Sequence, residues 1–120
     1  MYKRSPRVLI LDKHKELAMA YSDRLAMENL TCINLASATQ ALDYIEAFGC
    51  DLIVLDDYTL GEISFRDFMD LLSTLNNYKK QPVMVLSSNP SYEPTEGADE
   101  YILKTAADAG AVVKRIIALV

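Results

Sequence analysis

Residues 51–56 of the chain read DLIVLD, and residues 57–61 continue as DYTLG. Four apolar residues stand without interruption between two carboxylates, and turn-forming residues follow. A short apolar run with such boundaries predicts a strand buried on both faces of a parallel sheet. A carboxylate at the end of a buried strand is costly unless it is paired. Asp56 is therefore the first candidate for a functional residue.

Four more strands are predicted on either side of this segment. They are Arg7–Asp12, Thr31–Leu35, Val83–Leu86 and Tyr101–Leu103, recognised by apolar or alternating β-rich patterns. The fifth is the short one, and Lys104 follows it directly. Ser87 follows the fourth in the same way.

Helical periodicity fills most of the intervals between the strands. The first helix is predicted over 14–29, the second after a cap at Ser37 or Thr39 and up to Gly49, and the third over 65–77. A last helix is expected to open with Thr105 and Asp108 as a capping box. Its predicted inward residues are Val112, Val113, Ile116, Ile117 and Val120.

The interval between the fourth and fifth strands breaks this rhythm. Residues 89–97 contain two prolines and a glycine and lack an apolar stripe. These residues favour a turn of helix or an irregular loop over a long helix.

Strands and helices that alternate in this way predict an α/β fold, with a doubly wound parallel sheet and helices on both faces. Five strands fit the flavodoxin-like order 2-1-3-4-5 best. We expect residues 1–120 to form one domain, because the sequence shows no linker, repeat or low-complexity segment.

The composition limits the classes of partner. The formal net charge is −5, which argues against nucleic acid and anionic membranes, since both attract basic surfaces. The sequence has neither an apolar run long enough for a membrane helix nor the apolar core of a signal peptide. We therefore expect a cytoplasmic protein.

The two cysteines, Cys32 and Cys50, lie at or just before two strands that should flank a third. Two strand spacings amount to roughly 9.5 Å, which exceeds the ~7 Å Cα limit for a disulfide. Both are predicted to be free thiols with a packing role.

Four polar residues are predicted to meet at one edge of the sheet. In an open α/β sheet, ligands bind beyond the carboxyl ends of the strands, where the strand order reverses. Asp12, Asp56, Ser87 and Lys104 all follow strands at that edge. Taken singly, each could be a solvated strand end. Together, an acid beside a lysine and a hydroxyl suits reversible acylphosphate formation, with the carboxylate as nucleophile.

At this point the chain resembles the receiver domain of a bacterial two-component response regulator, over nearly its whole length. The resemblance rests on the order and spacing of four segments, which are Val8–Asp12, Asp51–Asp56, Pro82–Ser87 and Gly97–Lys104.

The resemblance implies specific roles for residues of this chain. Asp56 would be the phosphoacceptor, Ser87 the switch hydroxyl, Lys104 the phosphate-pairing lysine and Tyr101 the aromatic switch. A Mg²⁺ ion would be held by Asp12, Asp56 and the backbone carbonyl of Tyr58. The implied partners are a histidine kinase or phosphotransfer protein, with an output domain or a second copy of the chain. The domain itself would not be an enzyme.

Three positions depart from the pattern of that family. Lys13 stands where receivers usually carry a second acid, so we expect weakened Mg²⁺ binding and a resting ion pair from Lys13 or Lys104 to Asp56. Thr105 replaces a common proline after the lysine, which predicts a trans peptide bond there. Leu60 replaces another proline, but Gly61 still permits a tight turn.

The connection between the fourth and fifth strands is also shorter than usual. It predicts that the helix which receivers carry there is reduced or missing, and that the output surface is non-standard. Asp57 should point away from Asp56 by the strand period of two, as a solvated loop acid or a substitute metal ligand. His14 is expected to be an exposed residue at a helix start, although phosphate lies within its reach.

Two other functions compete with a phosphorylatable receiver. One is a degenerate receiver, which keeps the fold as a protein-interaction module while Asp56 is locked in a salt bridge. The other is a flavin- or nucleotide-binding protein on the same fold. The latter needs a glycine- or hydroxyl-rich phosphate loop after the first strand, and residues 12–16 offer neither.

Overall fold

The computed structural model describes residues 5–61, 63–89, 97–104 and 108–120. Its strands are β1 (Arg7–Leu11), β2 (Thr31–Leu35), β3 (Leu52–Asp56), β4 (Val83–Ser87) and β5 (Glu100–Leu103). Its α-helices are α1 (Lys15–Ala26), α2 (Ala38–Phe48), α3 (Phe65–Ser73) and α4 (Ala109–Leu119), and a 3₁₀ segment spans Asp57–Leu60.

All five strands form one parallel sheet in the order β2-β1-β3-β4-β5. This order confirms the predicted flavodoxin-like fold. β1 and β3 are neighbours in the sheet, with Leu11 beside Leu55. Asp12 and Asp56, one residue further along each chain, therefore emerge together at the carboxyl edge.

Side chains of the central strands alternate between two apolar layers, because successive residues in a strand point to opposite faces. One layer packs α2 and α3 against residues such as Leu9, Ile53 and Val85. The other packs α1 and α4 against residues such as Ile10, Val54 and Met84. The interior of β3 is fully buried from both sides, as the run LIVL predicts.

Helix ends follow local chemistry more closely than the periodic pattern suggests. α1 ends three residues before the predicted Asn29, because Asn29 adopts a left-handed conformation (φ 63°) and Leu30 N–H returns to the carbonyl of Leu25. α3 ends at Ser73 instead of Asn77, where the hydroxyls of Ser73 and Thr74 bond to backbone carbonyls of the last turn. Ser37 is confirmed as the cap of α2, with Gly49 at its end.

The structure of α4 differs from the prediction in its first residue and in two of its inward residues. Its cap is Asp108, whose side chain accepts a hydrogen bond from Ala111 N–H at 2.8 Å, so the helix begins after Asp108. Val112, Val113 and Ile116 are buried as predicted. Ile117 and Val120 are 39% and 43% exposed, because they lie outside the narrow stripe that faces the sheet.

Two predictions about loops lie outside the described residues. One is the reduced helix between β4 and β5, since residues 90–96 are not described; Ser88, Asn89 and Gly97–Asp99, which are, contain no helix. The other is the trans bond before Thr105.

Cys32 and Cys50 are free thiols, as predicted. Within the described ranges, every helix is too short or too polar to cross a lipid bilayer.

Candidate functional site

Lys104 joins the two predicted carboxylates at the edge of the sheet. Its ammonium lies 2.8 Å from Asp12 Oδ2 and 2.8 Å from Asp56 Oδ1. The side chain of Lys104 is 9% exposed, and both carboxylates are almost fully buried. The expected pairing of Asp56 with Lys13 or Lys104 is thus confirmed for Lys104.

The charge on Lys104 is maintained by this arrangement. Burial alone would lower the pKa of Lys104, but the hydrogen bonds and negative charges of Asp12 and Asp56 outweigh it and raise the pKa above its ordinary value. At neutral pH the bridge between the two carboxylates is therefore an ammonium.

The other oxygen of Asp56 is held by Thr59, a residue that the strand and helix patterns of the sequence do not single out. Thr59 donates its hydroxyl to Asp56 Oδ2 at 2.7 Å and its backbone N–H to the same oxygen at 3.1 Å. Asp56 thus caps the 3₁₀ segment. The signal in the sequence is an acid followed three residues later by a hydroxyl, the spacing of a helix cap.

Thr59 also ties the loop after β1 to the site, because its hydroxyl oxygen accepts a hydrogen bond from Lys13 N–H at 3.1 Å. Thr59 is 6% exposed, so water has little access to these bonds.

We expect Thr59→Val to lower the free energy of unfolding by about 1–3 kcal/mol, since it leaves a buried carboxylate oxygen and the Lys13 amide with fewer partners. Urea unfolding followed by circular dichroism measures this. Thr59→Ser keeps the hydroxyl and should cost about 1 kcal/mol or less. A loss in Thr59→Ser that equals or exceeds the loss in Thr59→Val would show that the hydroxyl is not the main contribution at this position.

His14 contacts the second oxygen of Asp12. Its backbone N–H donates to Asp12 Oδ1 at 2.9 Å, and its ring Nδ1 lies 3.0 Å from the same oxygen. The side chain is 57% exposed, so the expected exposure is confirmed while the contact with Asp12 was not foreseen. The signal is the two-residue spacing, at which an aspartate commonly accepts a backbone hydrogen bond.

Each of the four carboxylate oxygens of Asp12 and Asp56 therefore has a partner. Asp12 is bonded to His14 and Lys104, and Asp56 is bonded to Lys104 and Thr59. A buried carboxylate is tolerated only with such pairing. A group that approaches either acid therefore competes with these bonds for the carboxylate oxygens.

Ser87 reaches the site but does not contact Asp56 in this arrangement. The hydroxyl of Ser87 donates to Asp57 Oδ2 at 2.8 Å, and Asn89 N–H donates to Ser87 Oγ at 3.1 Å. Asp57 is partly exposed, as expected of a loop acid, but its hydrogen bond with Ser87 was not predicted. Its backbone already belongs to the 3₁₀ segment, so the alternation of the strand ends at Asp56.

Lys13 and Tyr58 meet on the outside of the site. The ammonium of Lys13 lies 4.2 Å from the centre of the Tyr58 ring, which is a cation–π contact. The backbone carbonyl of Tyr58 accepts a hydrogen bond from Gly61 N–H at 3.2 Å. Gly61 has φ 67°, as the tight turn requires.

Tyr101 lies in β5 beside Val85 of β4 and packs partly buried against the layer of α2 and α3. It is thus on a neighbouring strand to Ser87, as a switch residue would need to be. Its role remains a prediction.

An open pocket of about 560 Å³ lies over the carboxyl edge of the sheet. Its lining includes His14, Asp56, Asp57, Tyr58, Ser88 and Asn89. Solvent therefore approaches the site from the side of His14 and Asp57.

Several known structures have the same architecture as this chain. A response regulator receiver domain from Methylobacillus flagellatus aligns with 97% of the chain and 99% of its own length, at 19% identity and a TM-score of 0.75. The Francisella response regulator 1452 receiver domain covers 96% of each chain, at 23% identity and a TM-score of 0.77. A response regulator from Thermotoga maritima gives 20% identity and a TM-score of 0.74, over 96% of this chain and 97% of its own.

The chain has the fold of a response-regulator receiver domain. The predicted resemblance to receivers is confirmed at the level of fold, which extends over nearly the entire chain. No protein-family model matches the sequence, and no curated protein is significantly similar to it. In this structure, Asp12, Asp56, Ser87 and Lys104 lie at or directly after the carboxyl ends of β1, β3, β4 and β5.

Proposed function

We propose that residues 1–120 act as a receiver domain, which accepts a phosphoryl group on Asp56 from a histidine kinase or phosphotransfer protein and thereby switches a protein-interaction surface. The observation that carries this proposal is the 2.8 Å contact between the Lys104 ammonium and Asp56 at the sheet edge. A buried acid with a dedicated cation at the expected crevice is typical of a functional site, not of a solvated strand end.

The chemistry assigns a distinct task to each side chain. An oxygen of Asp56 attacks the phosphorus of the donor, and the bond from phosphorus to the donor nitrogen breaks, leaving an acylphosphate. Lys104 is placed to pair with the new phosphoryl oxygens, because it already pairs with the carboxylate from which they will extend. Ser87 can supply a hydroxyl donor once it turns towards Asp56.

The residues present fit a Mg²⁺ ion poorly. Ligand atoms of Asp12, His14 and Asp56 lie within 4.8 Å of one another, but Mg²⁺ prefers six oxygen ligands, and an imidazole suits transition metals better. Lys104 stands between the two carboxylates. We therefore propose weak Mg²⁺ binding, although Lys13 itself contributes less to this than its position in the sequence implies.

A degenerate receiver is the second candidate, and one observation favours it. All four carboxylate oxygens of Asp12 and Asp56 are already bonded, which is the arrangement expected of an acid locked in a salt bridge. In that case the fold would serve as a phosphorylation-independent protein-interaction module.

In both cases the partners we propose are proteins: a kinase or phosphotransfer protein, an output domain, or a second copy of the chain. The acidic net charge of −5 gives no support for nucleic acid or an anionic membrane. We propose a signalling module that acts in the cytoplasm and has no enzymatic turnover of its own.

Beryllofluoride, a mimic of the phosphoryl group, separates the two candidates. A titration followed by backbone amide NMR, with and without excess Mg²⁺, should give saturable shifts around Asp56, Ser87 and Lys104 if the chain is a functional receiver. A chain that shows no shifts at any concentration of Mg²⁺ would be a degenerate receiver. The titration with Mg²⁺ alone measures the affinity that we expect to be weak.

A further inference from the structure

Asp57 holds the hydroxyl of Ser87 away from the predicted phosphoacceptor. Ser87 Oγ lies 2.8 Å from Asp57 Oδ2, and Ser87 is fully buried. The oxygen of Ser87 also accepts a hydrogen bond from Asn89 N–H at 3.1 Å. Both functions of the hydroxyl, donor and acceptor, are therefore used in the resting arrangement.

A serine hydroxyl has only one proton to donate. If that proton is donated to Asp57, it is not available for a phosphoryl oxygen on Asp56. Because Ser87 is buried, its hydroxyl would change from one acceptor on the protein, Asp57, to another, the phosphoryl group on Asp56, without an intermediate bond to water. The two hydrogen bonds exclude each other.

The surroundings of Asp57 allow it to release Ser87. Asp57 is partly exposed and lines the open pocket, so its carboxylate can be hydrated when the bond to Ser87 breaks. Its other oxygen, Oδ1, accepts a hydrogen bond from Tyr58 N–H at 2.9 Å, which holds the side chain in the resting position. Negative charge arriving on the neighbouring Asp56 would repel the carboxylate of Asp57.

We propose that Asp57 is a positioning residue that restrains Ser87 in the resting state and releases it when Asp56 receives a phosphoryl group. This inference rests on the proposed function and names a regulatory element within the same site. Asp57 lowers the affinity for the phosphoryl group by the free energy of the hydrogen bond that must be broken. A hydrogen bond to a charged group is among the stronger ones in proteins.

A double-mutant cycle measures this role. The four chains are the wild type, Asp57→Ala, Ser87→Ala and the double variant, and the apparent affinity for beryllofluoride with excess Mg²⁺ is determined for each. Asp57→Ala should tighten binding roughly tenfold when Ser87 is present, because the hydroxyl no longer has to leave a charged acceptor. In the Ser87→Ala background the same substitution should change the affinity by a clearly smaller factor.

The cycle separates the restraint from simple electrostatics. If Asp57 acts only through its negative charge, its removal changes the affinity by the same factor in both backgrounds, and this result would overturn the proposal. Weaker binding by Asp57→Ala than by the wild type would overturn it as well. If none of the four chains binds beryllofluoride, the proposed function fails and the inference fails with it. If the chains do bind beryllofluoride but the effects of the two substitutions on affinity are additive, only this inference is rejected and the proposed function stands.

Discussion

Asp56→Asn is expected to abolish the phosphoryl adduct that acetyl phosphate and Mg²⁺ form on the wild-type chain. The substitution keeps the size of the side chain but replaces the nucleophilic carboxylate with an amide, which cannot form an acylphosphate. Intact-protein mass spectrometry measures the fraction of chains that carry one phosphoryl group. Circular dichroism of the variant shows whether the fold is retained.

Asp57→Asn is the matched control, because it makes the same substitution one residue further along. This variant should still be labelled, since Asp57 does not contact Lys104 in the described contacts and lies on the 3₁₀ segment. Asp57 is nevertheless the more exposed of the two acids. Labelling that persists in Asp56→Asn and disappears in Asp57→Asn would therefore move the phosphoacceptor to Asp57.

Lys104→Met should lower the free energy of unfolding by about 3–5 kcal/mol, the cost of breaking a buried ion pair by removing one partner. Methionine matches the length of the lysine stem, so the loss comes mainly from the charge. Asp12 and Asp56 would then remain as two buried carboxylates beside each other without their shared cation. Urea unfolding at neutral pH measures the difference from the wild type.

Lys114→Met on the exposed side of α4 is the control and should change the stability by less than about 0.5 kcal/mol.

The pH dependence of stability gives a second check on the bridge made by Lys104. Folding raises the pKa of Lys104. Its contribution to the free energy of unfolding is therefore fully present below its unfolded pKa of about 10.5, and it is lost as the pH rises through its folded pKa. The difference in the free energy of unfolding between the wild type and Lys104→Met should therefore decrease only in strongly alkaline solution. A gap that is small at pH 7 would contradict the role of the bridge.

The sheet and its order could be predicted from the sequence because each strand is a short apolar run that ends in a polar residue. Val8–Leu11 and Leu52–Leu55 are buried on both faces, and only a parallel sheet covered on two sides accommodates such runs. The topology then fixes which strand ends are neighbours. This is why the convergence of Asp12, Asp56 and Lys104 could be predicted without any information on contacts.

The contacts made by the loops could not be predicted in the same way. The alternation of side chains along β3 holds as far as Asp56, and the chain then tightens into a 3₁₀ segment that turns Asp57 towards Ser87. Thr59 enters the site for the same reason. A pattern with a period of two carries no information beyond the end of the strand. Similarly, the sequence does not indicate whether another element covers an apolar residue near the end of a helix, such as Ile117.

The bond between Lys104 and Asp12 joins residues that are 92 positions apart in the chain. β1 and β5 do not touch in the sheet, since β3 and β4 lie between them. A contact of such long sequence separation forms only after the intervening strands have assembled, because the entropy of closing so large a loop must first be overcome. We therefore expect the bridge to form late in folding, so that Lys104→Met increases the unfolding rate more than it reduces the folding rate.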